Sequence, residues 1–574
     1  MEFTIDQSAI INSTKNLIIQ NYGDSGFIET IYGAIRNKKK CKTLLLAASE
    51  SSKQKFIERL DLDQIKNVRV ETAFSLAWKK IGHKQIVVKK NGYTPFEIKN
   101  ILHISSSDVV YDLRLAYFVS RMCICQCRAT SEQDVKARFL KTLFQEEDIT
   151  FFWQNESKLI AYTAAFINLM HRREIPCIPE YCLKLYYQSN PIIRCNFIVV
   201  EDAPNTSEAI LKVIKSQKAL KFIFGDDHQK KILCNNWRRI FEDSMYFTKS
   251  LDKSFDHSAN VATYINEIIG WKKYLYENFD YPLLHGSYKK NNINTHAYIG
   301  KNRVTVLNKA FEIYCNETKS KPAFFEQGLN FYLHNDDGTS LKDILHLYTE
   351  EHSRIKHPFI QSIESIELLE QYAIAVKDEN CQGLIELVKK HRKGLHEMMR
   401  VLSRSESKGK KARKLTINFS TAKLINRYGE ITMLDDFVNQ NDIIAATHSN
   451  QTPDFFHLEN EINMLYQSAS RAIHKLDFET DSSESEVKPA RKDDSAVKSR
   501  QIDQISKETN NELAYSLNRS KKHHKNIFNK WTTEQDQYLV NMHQKEKSIA
   551  DIAHKLKRTK SAVTSRLRKL RESD

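Results

Sequence analysis

Glycine is scarce in this chain: 15 occur in 574 residues, where an average composition of about 7% would place roughly 40. That argues against an enzyme built on several glycine-rich loops. No run approaches the ~18 apolar residues of a membrane-spanning helix, and Met1–Asp6 carries no basic-then-apolar leader. Ten cysteines do not pair into a secreted framework, so a reducing intracellular compartment without membrane attachment is expected. Cys123, Cys125 and Cys127 form a C-x-C-x-C cluster, whereas structural zinc sites use wider pairs followed by a second pair. Buried thiols are predicted there, and no metal.

Apolar side chains are plentiful: 41% of residues are hydrophobic, with 29 Phe and 24 Tyr. At this length several domains are expected, on a prior of roughly 100–200 residues each. The net charge of +16 fits a polyanionic partner, or equally a lysine-rich solvated surface. Three regimes follow one another. Residues 1 to about 476 are dense in apolar segments. Residues 477–525, which include D-S-S-E-S-E-V-K-P-A-R-K-D-D-S, are too polar to offset chain entropy and read as a flexible linker. Residues 526–574 regain a helical pattern.

Within the first regime, Thr43–Ala48, Asn196–Val200 and Leu220–Phe224 are short, mostly apolar runs of the kind that form buried parallel strands. Ser365–Val376 and Gln382–Val401 carry helical periodicity. The alternation predicts an α/β fold with parallel sheets and ligands at the strands' carboxyl ends.

Several segments fall in a meaningful order. F-T-I-D-Q-S-A-I-I holds Gln7, and Asn21–Ile31 reads N-Y-G-D-S-G-F-I-E-T-I. L-L-L-A-A-S-E-S-S-K holds Ser49, and V-E-T-A-F-S-L-A-W holds Phe74 and Ser75. F-I-V-V-E-D-A-P-N holds Glu201, Asp202, Pro204 and Asn205; F-I-F-G-D-D-H-Q holds Gly225, Asp226, His228 and Gln229. Later come Asp256, Lys301, Ser420 and Thr421, and then E-I-N-M-L-Y-Q-S-A-S-R-A with Asn463, Tyr466 and Arg471. This series resembles superfamily 1 DNA helicases of the UvrD/Rep type, closest to the F-box DNA helicase branch and its bacterial relatives.

The resemblance implies two RecA-like parallel-sheet domains. The first spans residues 1–238 with a helical insertion at about 100–185; the second spans 239–476 with an insertion at about 311–410. It places Gln7, Gly26 and Lys301 against nucleotide. Glu201, Asp202, Gln229 and Arg471 would be the catalytic set, and Ser49 and Ser75 would touch single-stranded DNA. The same comparison exposes losses. A phosphate loop ends G-K-[ST], its lysine meeting phosphate and its hydroxyl meeting Mg²⁺. Here Gly26 is followed by Phe27 and Ile28. The carboxylate pair is exchanged in length, Asp256 stands where an arginine is expected, and a G-L-E core after Thr421 is absent. Phosphoryl transfer rests on positioning and charge, so negligible ATP hydrolysis is expected, and no cofactor. Weak nucleotide binding through Gln7 stays open, as does ATP/Mg²⁺ use should activity persist.

Lys530–Leu570 contains W-T-T-E-Q-D-Q-Y-L and I-A-H-K-L-K-R-T-K-S-A-V-T-S-R-L. Thr532 is a candidate helix cap, and Trp531, Leu539, Ile549, Ile552, Leu556, Val563 and Leu567 suit a small core. The pattern resembles a Myb/SANT-like three-helix domain with helix-turn-helix geometry. It implies that Lys560, Thr564, Ser565, Arg568 and Lys569 face duplex DNA, while Arg566 turns away or pairs with an acid. From residue 521 onward fourteen Lys and Arg face six Asp and Glu, half of the chain's net charge.

The leading expectation is a helicase-like, DNA-bound scaffold or accessory factor without ATPase activity. It would hold duplex through its tail and single strands through its body, with protein partners possible. Two alternatives stand beside it: an active, divergent ATP-dependent DNA helicase, and a Myb-like transcription or chromatin regulator whose body binds protein. K-K-H-H-K at 521–525 would serve nuclear entry in a eukaryotic cell; in a bacterium the place would be cytoplasm or nucleoid.

Overall fold

The computed structural model describes residues 3–479 except 24, 83–85, 131–134, 141, 144–145, 231–236, 278, 289–294, 317–322, 412–416, 422–426 and 449–454. Toward the C-terminus it describes 532–544, 549–556, 563 and 566. The chain divides into two compact units, Met1–Ser483 and Glu484–Asp574.

The first unit is mixed α/β. Its larger sheet has six strands: β1 (Asn16–Asn21), β2 (Thr43–Ala47), β3 (Val68–Thr72), β4 (Phe197–Val200), β5 (Leu220–Gly225) and β6 (Tyr246–Leu251). They lie in the order β3-β2-β4-β5-β1-β6, every pair parallel. β2 and β4 are buried along their whole length, as strands covered by helices on both faces must be. A short parallel pair, β7 (Lys253–Ser254) and β8 (His285–Gly286), follows. The second sheet comprises β9 (His296–Gly300), β10 (Ala323–Phe325), β11 (Ile417–Thr421), β12 (Tyr428–Met433) and β13 (Ala472–Phe478). Its order is β10-β11-β9-β12-β13, again all parallel.

Helical segments interrupt both sheets. Between β3 and β4 lie Val109–Arg128, Glu146–His171 and Pro179–Gln188, closed over a core of Phe118, Phe139, Phe152 and Phe166. Cys123, Cys125 and Cys127 are buried in that core on the first of these helices. No group of three or more potential metal ligands gathers among the described residues. Between β9 and β11 runs a longer helical stretch, Arg303–Asn316 through Leu395–Lys411. The predicted helix Gln382–Val401 is two helices, Glu379–His391 and Leu395–Lys411. Arg392 breaks it by taking a left-handed φ of 46°, which periodicity alone does not reveal. β13 extends to Phe478, past the 477 boundary read from composition; residues 480–531 lie outside the described set. Among the described residues no helix is long and apolar enough to cross a membrane.

In the second unit, helices Thr533–Gln544 and Ile549–Leu556 bury Leu539, Ile552, Leu556 and Val563 against one another. Thr532 Oγ1 accepts from the Gln535 amide at 3.3 Å, the expected cap. Arg566 binds Asp536 through two nitrogens at 2.8 and 2.7 Å. Lys560, Thr564, Ser565, Arg568 and Lys569 lie outside the described residues.

Candidate functional site

Parallel strands bring their carboxyl ends to one edge. On the larger sheet this gathers the loop after β1, Glu201 and Asp202 after β4, and Asp226–Gln229 after β5. Open α/β sheets bind their ligands at such an edge.

The loop after β1 ends at Gly26, whose φ of 70° precedes helix Phe27–Asn37. A side chain there is strained twice over. The backbone is left-handed, and a Cβ would lie 2.8 Å from Gln7 Nε2. Gln7 is buried, and both of its amide hydrogens are spent inside the protein. They go to the Gly26 carbonyl at 3.0 Å and Thr30 Oγ1 at 3.1 Å. Its oxygen accepts from the Thr4 amide, completing a capping box. An adenine edge needs a donor and an acceptor from the same amide, and the donors are taken. Phe27 and Ile28 pack against the core beneath the sheet, Phe27 with its ring 6.5 Å from that of Phe224.

Glu201 is turned toward β2. Its carboxylate accepts from the Ala48 amide at 2.7 Å and from Ser52 Oγ. β2 lies on the opposite side of β4 from β5 and β1, so the acid is engaged away from the loop of Gly26. Burial pushes its pKa above the ordinary carboxylate range, while the Ala48 and Ser52 hydrogen bonds pull the other way. Asp202 accepts from Asn205 Nδ2 at 3.0 and 3.2 Å, and the same amide reaches the Gln229 carbonyl at 3.1 Å. Asn205 thus ties Asp202 to Gln229.

Asp226 and His228 form the most buried polar cluster of the edge. Asp226 Oδ2 accepts from Tyr466 Oη at 2.6 Å, and Oδ1 accepts from the His228 amide at 2.9 Å. Tyr466 Oη in turn accepts from the Gly23 amide at 2.5 Å. The rings of Tyr22, Phe279, Tyr281 and Tyr466 surround His228 at 5.6–6.5 Å. Buried Lys272 lies 3.0 Å from His228 Nδ1 and 3.2 Å from Glu459. Burial, then the Lys272 and Arg238 charges, hold the imidazole pKa well below its ordinary value, so the ring is neutral and accepts from Lys272.

The remaining sequence-derived residues scatter. Ser49 caps helix Glu50–Leu62. Ser75 closes a capping box with Thr72 and donates to buried Glu71 at 2.7 Å, so its hydroxyl is spent internally. Phe74 stacks on Trp78. Lys301 pairs with Glu461 at 3.2 Å, and its backbone amide binds Asp436. Asp256, which stands where the resemblance expects an arginine, is paired with Arg427 at 2.6 Å. Asn463 reaches the Lys230 carbonyl at 3.4 Å, and the Arg471 carbonyl accepts from Tyr428. Ser420 and Thr421 end β11 opposite Ile299 and Gly300. Lys272, Tyr276 and Glu459 went unnoticed in the sequence. The aromatic density of W-K-K-Y-L-Y-E-N-F-D-Y was the available signal.

No family model and no curated protein matches this chain.

Proposed function

We propose that the chain is a DNA-binding protein built on the frame of UvrD/Rep-type helicases and without a working ATPase. On this reading the two parallel sheets are its RecA-like lobes. The C-terminal unit is a Myb/SANT-like domain that holds duplex DNA and raises the local DNA concentration for the body. The observation that carries the reading is Phe27, packed against the sheet core at the position where a phosphate loop needs a lysine ammonium. The residues present do not fit ATP with Mg²⁺. Ile28 packs inward beside Phe27, and the Gln7 amide hydrogens are already bonded.

The test is nucleotide binding and phosphate release by the full chain, with and without DNA. The reading expects neither above background, together with salt-dependent duplex binding that falls when residues 521–574 are deleted. DNA-stimulated phosphate release would overturn it in favour of an active helicase. Unchanged duplex affinity after the deletion would remove the tail from the DNA interface.

A further inference from the structure

Tyr466 belongs to helix Phe455–Ala469, whose Ile462, Leu465 and Ala469 pack in one core with Ala297, Ile299, Ile431 and Met433 of the second sheet. Its hydroxyl nevertheless ends on the first sheet's edge, accepting from Gly23 and donating to Asp226. One oxygen therefore completes two hydrogen bonds across the join between the sheets. Asp226 is 4% exposed, and both of these partners, Tyr466 Oη and the His228 amide, are neutral. We propose that Tyr466, Asp226 and the Gly23 amide form a proton-operated latch that holds the two sheets together. The proposal is independent of any DNA-binding role.

The electrostatics follow from the surroundings. Burial, offset in part by the Tyr466 and His228 bonds, pushes the Asp226 carboxyl up to about 7; Asp227 adds to the rise and Lys272 opposes it. Asp227 is paired with Arg238, and Lys272 with Glu459. Tyr22 stays protonated, its pKa pushed up to about 12 chiefly by burial, and His228 stays neutral. In an opened cleft the carboxyl is hydrated and ionises near its ordinary value of about 4. The closed state then binds the proton more tightly than the open one. The closing contribution is full below about pH 4 and is lost as pH rises through about 7. Acid closes the latch, and neutral to alkaline pH loosens it.

Hydrogen exchange of the full chain tests this, read on the peptide containing Gly23 and corrected for intrinsic exchange. Between about pH 5.5 and 7.5, wild-type protection is expected to fall about tenfold or more. Asp226→Asn keeps the shape without the titration, and its protection is expected to change less than about twofold over that range. Tyr466→Phe removes both bridging bonds and is expected to lower protection at both pH values. An equal fall in Asp226→Asn and wild type overturns the proposal, as does wild-type protection in Tyr466→Phe. Should Asp226→Asn fail to fold, wild-type protection that stays level across that range overturns the proposal, as does wild-type protection in Tyr466→Phe.

Discussion

Ser52 and Glu201 are joined twice: the serine hydroxyl lies 2.7 Å from each oxygen of the carboxylate. With the Ala48 amide also bound, this acid is part of the internal wiring between β4 and the helix after β2. Ser52→Ala is expected to lower unfolding free energy by about 1–3 kcal/mol, because the nearly buried acid loses a donor without losing its charge. Glu201 has a raised pKa, mainly from burial. Its contribution is thus full below the ordinary carboxyl value and is lost as pH rises through its folded pKa. Glu201→Gln should flatten that part of the pH profile in urea titrations.

Gly26→Ala should destabilise by roughly 1–3 kcal/mol, since a φ of 70° and a 2.8 Å approach to Gln7 act together. Adding Gln7→Ala relieves the contact and leaves the backbone strain. The double variant should then fall short of the sum of the singles in chemical denaturation, with a non-zero coupling.

Lys272→Met should cost roughly 3 kcal/mol, because it strips a cation from Glu459 and a donor from His228 in a buried setting. Tyr276 still donates to Glu459 at 2.6 Å. The pair Lys272→Met and Glu459→Gln should therefore be less damaging together than their separate effects predict. A double-mutant cycle on thermal unfolding reads this directly.

In the C-terminal unit, Asp536→Ala should lower the protection of helix Thr533–Gln544 in hydrogen exchange. The loss corresponds to about 0.5–1 kcal/mol for a partly exposed bidentate pair. Arg566→Lys keeps the charge but loses the planar fork, and should recover only part of it.

Three strands were legible because each is a short, mostly apolar run: T-L-L-L-A became β2, F-I-V-V became β4, and L-K-F-I-F became most of β5. A parallel strand buried on both faces reads as a near-continuous apolar run, and buried Lys221 in β5 is held by the Gln217 and Ala219 carbonyls. The break at Arg392 was not legible, since nothing in K-H-R-K-G-L marks a non-glycine residue for a left-handed turn. The site was legible as a set of positions after β1, β4 and β5. What its side chains do there was not. Glu201 faces Ser52 and Tyr466 faces Asp226 across long sequence separations, and such pairings are set by sheet order and packing. Arg566 was the exception: the Myb/SANT resemblance left it either turned away or paired with an acid, and it pairs with Asp536.

The packing of Phe27 on Phe224 also sets a direction for sequence change. A lysine at 27 would give up an aromatic contact with the core before gaining any phosphate to bind. A hydroxyl at 28 would give up the packing of Ile28 on the same core, and Gln7 would still bond the Gly26 carbonyl. Each step toward a phosphate loop is a loss until the others are present. A path toward one is uphill at every single substitution, so the packing of the loop itself holds it in a structural role.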